Sequence, residues 1–119
     1  MIVENTQTQM RKGILEYCIL SIISRGEIYA SDIINELKTA RLLVVEGTLY
    51  PLLTRLKNNE LLSYIWKESN SGPPRKYYQI TAAGQEVLKA LDETWNELVF
   101  AVKTSTESSN TEANKDVNL

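Results

Sequence analysis

Between Lys38 and Lys76 the chain carries seven cations, Lys38, Arg41, Arg55, Lys57, Lys67, Arg75 and Lys76, against three anions, Glu46, Glu60 and Glu68. A local excess of +4 is chemistry for phosphate, although the whole chain of 119 residues is formally −2. A basic patch attracts a polyanion through its local field whatever the total charge. Part of the opposite charge sits between Glu86 and Glu97, where Glu86, Asp92, Glu93 and Glu97 face Lys89 alone. Covalent and metal chemistry are poorly supplied. There is no histidine, the commonest general base and transition-metal ligand. The one cysteine, Cys18, lies between Tyr17 and Ile19 and reads as a small buried hydrophobe. It can build neither a zinc site nor an internal disulfide. With no glycine-rich phosphate loop and no nucleophile–base pair, no enzyme, cofactor or metal is expected.

These cations must be held by something. Ile14, Cys18 and Ile22, beside Leu15, Ile19 and Ile23, predict a widely buried helix from about Thr8 to Ser24, ended by Gly26. A second helix is predicted over Ala30 to Thr39, burying Ile33, Ile34 and Leu37, with Ser31 and Asp32 near its start. In "EGTLYPLLTRLKNN", Leu49, Leu52, Leu53 and Leu56 fall at i, i+3, i+4 and i+7, one apolar stripe of a third helix. Pro51 is tolerable there because the carbonyl its ring crowds belongs to Gly47, close to the helix start. Val45 and Glu46 supply no good N-cap. Leu62, Tyr64 and Trp66 then alternate with Ser63, Ile65 and Lys67, and Tyr78 and Ile80 alternate with Tyr77 and Gln79 on the return, a β-hairpin around the loop "ESNSGPPR". Last comes a helix opened by Thr81 and running from Ala82 to about Lys103. Its apolar residues outreach a core of this size, so part of its stripe must pack on a partner.

Three helices followed by a two-stranded hairpin is the order of a winged helix-turn-helix. The fold class expected is mainly α (α+β), with a two-stranded wing and a long C-terminal dimerisation helix. In that design the third helix enters the DNA major groove and the hairpin touches the neighbouring backbone or minor groove. Candidate DNA contacts are Thr48, Tyr50, Thr54, Arg55, Lys57 and Asn58 on the helix, and Arg75 and Lys76 on the wing. Arg11, Lys12 and Lys38 are auxiliary phosphate candidates, while Trp66 and Tyr78 are expected to pack the wing.

"GTLYPLLTRLKNNELL" followed by "GPPRKYYQITAAGQEVL" resembles the PadR family of bacterial winged-helix transcriptional regulators. Gly47, Thr48, Leu49, Tyr50, Pro51, Leu53, Arg55 and Leu56 match its first motif, and Arg75, Lys76, Tyr77, Tyr78, Thr81 and Gly84 its second. The resemblance implies a homodimeric repressor, of the small subfamily with a single C-terminal helix. Residues 1–80 would be the DNA-binding domain, 81–103 the dimerisation helix and 104–119 a disordered polar tail. The dimer interface expected is Leu88, Leu91, Trp95, Leu98 and Val102. A tryptophan at this place resembles the drug-responsive branch, which implies that Trp95, Leu91, Leu98 and Val99 hold a planar hydrophobic small molecule.

The expected partners are therefore double-stranded DNA with a pseudo-palindromic operator, and a second copy of the chain. No membrane is expected, since no apolar run approaches the roughly 20 residues that span a bilayer. "MIVENTQTQMRKG" lacks the apolar region of a secretory signal, and the lone cysteine suits a reducing cytoplasm. The alternative is a winged-helix interaction or ligand-sequestering module that does not read DNA.

Overall fold

The structure, a computed structural model, describes the backbone of residues 2–118 and the side chains of residues 2–107. Its elements run α1 (Ile2–Ile23), β1 (Ile28–Tyr29), α2 (Ala30–Thr39), α3 (Glu46–Asn58), β2 (Leu62–Ser69), β3 (Gly72–Ile80) and α4 (Ala82–Asn118). The chain divides into two compact units, Met1–Leu88 and Lys89–Leu119.

The core of the first unit joins all three of its full helices to the sheet. Leu15, Ile19, Leu20, Ile22 and Ile23 of α1 meet Ile33 and Leu37 of α2, and Leu49, Leu53 and Leu56 of α3 close the cluster with Leu62 and Tyr78. Among the described residues no polar or charged side chain is buried there. Of the two rows read from α1, Leu15, Ile19 and Ile23 are buried, whereas in the adjacent row Ile22 is buried and Ile14 and Cys18 only half-buried. In α2, whose bounds are those expected, Ile34 is likewise only half-buried.

Four elements differ from expectation: α1, the hairpin, β1 and α4. α1 starts at Ile2 and not near Thr8, because residues 2–12 contain no glycine or proline to prevent it, and Thr6 Oγ1 donates to the Ile2 carbonyl at 3.1 Å. It ends at Ile23, and Gly26, read as its stop, follows in the turn with φ +148°, a conformation that suits a residue without Cβ. The hairpin loop is far shorter than "ESNSGPPR". Only Asn70 and Ser71 turn, and Pro73 and Pro74 belong to β3. Strand order is β1-β3-β2, but β1 pairs only Ile28 with Tyr78 and Tyr29 with Tyr77. The outer half of β3 therefore has one neighbour, and its register with β2 skips from Lys67–Arg75 to Ser69–Gly72. Prolines are tolerated at such an edge and bulge because no ladder donor is missing. The two-residue β1 was below what alternation can reveal.

α4 runs to Asn118, past Lys103, and no glycine or proline follows Gly84 to stop it. The tail expected at residues 104–119 lies outside the described side chains from residue 108 onward; Thr104 to Glu107 are helical.

The link between α3 and α4 is closely specified. Glu60 takes φ 64° without being glycine, and its N–H donates to the Lys57 carbonyl while that of Leu61 donates to Leu56. This is the left-handed C-terminal cap that glycine usually occupies. Arg41 ends α2 in the same way at φ 65°, with Leu42 N–H on the Leu37 carbonyl at 2.8 Å. Thr81 then caps α4: its hydroxyl accepts from Gly84 N–H at 2.9 Å and donates to the Glu60 carbonyl at 2.7 Å. A Cβ on Gly84 would fall 2.1 Å from the Leu61 carbonyl oxygen, so only glycine lets α4 begin this close.

Candidate nucleic-acid interface

α3 forms on its leucines, not on a cap. Val45 precedes it in extended conformation, with no side chain capping the first turn. Leu49, Leu53 and Leu56 are buried and Leu52 half-buried, which leaves Thr48, Tyr50, Thr54, Arg55, Lys57 and Asn58 exposed. The structure divides these six between two edges. Thr48 and Arg55 lie toward α1, lining a cleft with Lys12 and Glu16. Tyr50 and Lys57 lie toward the wing, and Thr54 and Asn58 continue the Tyr50 row at four-residue spacing.

Arg55 differs from the others. Its Nη2 lies 3.0 Å from Glu16 Oε1 of α1, an ion pair whose angle is not that of a hydrogen bond. With the Arg55 side chain 65% exposed, water screens the pair and it contributes little to stability. Its effect is directional, because a guanidinium held toward α1 must exchange that partner to read a base.

The wing cations are held differently. Lys76 Nζ lies 4.3 Å from the Tyr64 ring centroid and 5.4 Å from that of Trp66. Lys57 Nζ, from α3, lies 5.4 Å from the same Tyr64 ring. Arg75 sits 4.8 Å over Tyr29 and donates from Nη1 to its hydroxyl at 2.7 Å. Among the described residues neither Arg75 nor Lys76 is ion-paired to a carboxylate. Lys67 is, to Glu27, while also lying 5.1 Å over Tyr77. An aromatic face orients a cation through its quadrupole without cancelling the charge. Arg75 and Lys76 are thus fixed and still electrically available to a phosphate.

Between them the wing, α3 and the start of α2 enclose a cleft of about 340 Å³, lined by Tyr29, Tyr50, Trp66, Tyr78, Arg75 and Lys76. Its side chains include no carboxylate. Burial, with the Tyr50 and Tyr64 phenols nearby, pushes the Tyr78 hydroxyl above its usual range and keeps it neutral. Burial likewise raises the Cys18 thiol, which suits a packing residue and not a nucleophile. Trp66, expected to pack the wing, is 62% exposed. Tyr29 and Tyr64, the rings that seat the cations, were not among the residues read as functional.

In the second unit, Leu91 and Val99 are half-buried and Trp95, Leu98 and Val102 exposed. Phe100, outside the expected seam, is 72% exposed. Among the described residues no group of His, Cys, Asp and Glu could hold a metal ion, and no helix is long and apolar enough to cross a membrane.

A helix with a polar outer face beside a cation-bearing wing defines a winged-helix DNA-binding class. Residues 19–90 match the transcriptional regulator PadR-like family, and the chain belongs to it. A PadR-like transcription factor from Bacteroides fragilis is 60% identical, with TM-score 0.71, covering 83% of this chain and 96% of that one. A PadR family transcriptional regulator from Eggerthella lenta is 32% identical with TM-score 0.79, over 87% and 90% of the two chains. A PadR-like regulator from Bacillus cereus is 40% identical with TM-score 0.73, over 81% and 94%. An uncharacterized protein of Lysinibacillus sphaericus is 30% identical over 73% of this chain and 83% of its own. The chain is a transcriptional regulator of the DNA-binding class, not an enzyme.

Proposed function

We propose that the chain is a homodimeric, sequence-specific repressor of the cytoplasm, released from a pseudo-palindromic operator by a small planar hydrophobic effector. The observation that carries the DNA-reading part is the wing: Arg75 and Lys76 seated on aromatic rings without carboxylate partners, beside the exposed Tyr50–Thr54–Asn58 row of α3. In this reading residues 1–80 are the reading head, 81–103 the dimerisation helix of the small PadR type, and the polar residues 104–119 carry no role. Tyr50, Thr54, Lys57 and Asn58 enter the groove, Thr48 and Arg55 contact its α1-side rim, and Arg75 and Lys76 take the flanking backbone.

Dimerisation is supported by spacing. Leu88, Leu91, Trp95, Leu98 and Val102 recur at alternating three and four residues, the period of a coiled-coil seam. The described part of the second unit is one helix, with no fully buried side chain among its described residues, while Trp95 and Leu98 are 40% and 50% exposed. A two-fold dimer presents its heads to half-sites about 34 Å apart, one turn of the duplex. A planar molecule among Trp95, Leu91, Leu98 and Val99 would favour another seam packing. It would withdraw the DNA-competent spacing only by its differential affinity for the two packings.

The test is affinity for an enriched duplex as a function of salt. Log affinity of the dimer should fall linearly with log salt, and Arg75→Ala, which removes one cation from each copy, should flatten the slope by about 1.8. Affinity independent of salt and of Arg75 would instead favour an interaction module that does not read DNA.

A further inference from the structure

Tyr29 is the last residue of β1 and the residue before α2, in extended conformation at φ −110° and ψ 165°. It is paired in register with Tyr77, their rings 5.5 Å apart. This places its hydroxyl against a residue 46 positions later, where Arg75 Nη1 donates to it at 2.7 Å. A phenol oxygen that accepts from a guanidinium must turn its own proton away from that nitrogen. Among the described residues the Tyr29 hydroxyl makes no second hydrogen bond, and its ring lines the cleft with Arg75 and Lys76.

The donor inventory then selects the ligand. Guanidinium and ammonium groups donate only, and the Tyr29 phenol, one lone pair already used, adds a further proton. A base edge presents donors and acceptors together, whereas the charged oxygens of a phosphodiester only accept. The cleft also has no carboxylate to repel an anion. We propose that Tyr29 and Arg75 form a clamp for one backbone phosphate of the duplex, Arg75 supplying charge and two-point geometry and Tyr29 donating its hydroxyl proton. This rests on the DNA-binding reading and adds to it a phosphate-contacting residue outside both α3 and the wing. It also gives β1 a purpose beyond its two ladder pairs, since that strand fixes the phenol beside the wing.

The experiment measures full-chain affinity for one mixed-sequence duplex across a salt series, with Tyr29→Phe, Arg75→Ala and the double variant. Tyr29→Phe keeps the ring that stacks on Tyr77 and seats Arg75, so an unchanged melting temperature is the folding control. It should weaken binding about tenfold with the salt slope unaltered, because a hydrogen bond to an anion is lost without loss of a cation. Arg75→Ala, which removes one cation from each copy of the dimer, should flatten the slope by about 1.8. In the Arg75→Ala background, Tyr29→Phe should still weaken binding several-fold, which a phenol serving only as a rest for the guanidinium would not do. Wild-type binding with Tyr29→Phe silent in either background would overturn the clamp and leave the DNA reading standing. A wild-type chain with no salt-dependent binding to any duplex would overturn both.

Discussion

Glu60 does with backbone strain what glycine usually does for nothing. A non-glycine residue in the left-handed region costs roughly 1–2 kcal/mol, and Glu60 holds φ 64° to turn α3 into the hairpin. Glu60→Gly should therefore raise stability by about 0.5–1 kcal/mol, net of the added unfolded-state entropy of glycine, read as an upward shift of the urea midpoint. A downward shift would show that the Glu60 side chain matters to the turn. Gly84 is the converse case, with Leu61 oxygen 2.1 Å from where a Cβ would stand. Gly84→Ala should cost about 3 kcal/mol, and a midpoint within error of the parent would contradict the close approach. At this scale the sequence revealed side chains whose burial depends on near neighbours, such as Leu49, Leu53 and Leu56 of α3. It concealed those whose role depends on distant ones. Nothing local marks Tyr29 as the seat of Arg75, or Glu16 as the partner of Arg55, because only the tertiary fold brings these pairs together.

Thr81 acts between elements. Its hydroxyl accepts from Gly84 N–H at the start of α4 and donates to the Glu60 carbonyl at the end of α3, while its own N–H donates to the Leu61 carbonyl at 3.1 Å. Thr81→Ala removes a helix cap and leaves the Glu60 carbonyl without that donor, a loss of about 2 kcal/mol in denaturant unfolding. Thr81→Ser retains the hydroxyl and should recover most of it; equal losses from both would assign the effect to the methyl group. Element identity was readable wherever periodicity was long: α2 and α3, the hairpin, and the start of α4 at Thr81. Ends were less so. Pro73 and Pro74 signal a loop by local rules, yet they lie in β3 because the short β1 leaves that part of the strand unpaired on one side. Likewise, the start of α1 and the far end of α4 are weakly punctuated polar helix, where no apolar stripe marks a limit.

At the scale of the whole molecule, the proposed repressor acts as two copies. Leu98→Glu places a charge on the heptad-spaced seam, where it must be desolvated or repelled by its symmetry mate. Sedimentation should give a dimer for the parent chain and a monomer for this variant, with operator affinity falling in parallel; a variant that remains fully dimeric would move the interface elsewhere. Effector release predicts that planar cationic dyes quench tryptophan emission and that Trp95→Ala abolishes the response. Trp66 is the necessary control, being 62% exposed on the wing. Quenching unchanged by Trp95→Ala would remove the effector pocket.

The most direct test of the central claim is selection of bound fragments from a random duplex pool, with the parent chain and Arg75→Ala run side by side. A dimeric operator reader should enrich a two-fold symmetric site with half-sites about one helical turn apart, bound more weakly as salt rises and more weakly again by Arg75→Ala. A pool that emerges unenriched, with no salt-dependent binding, would contradict it.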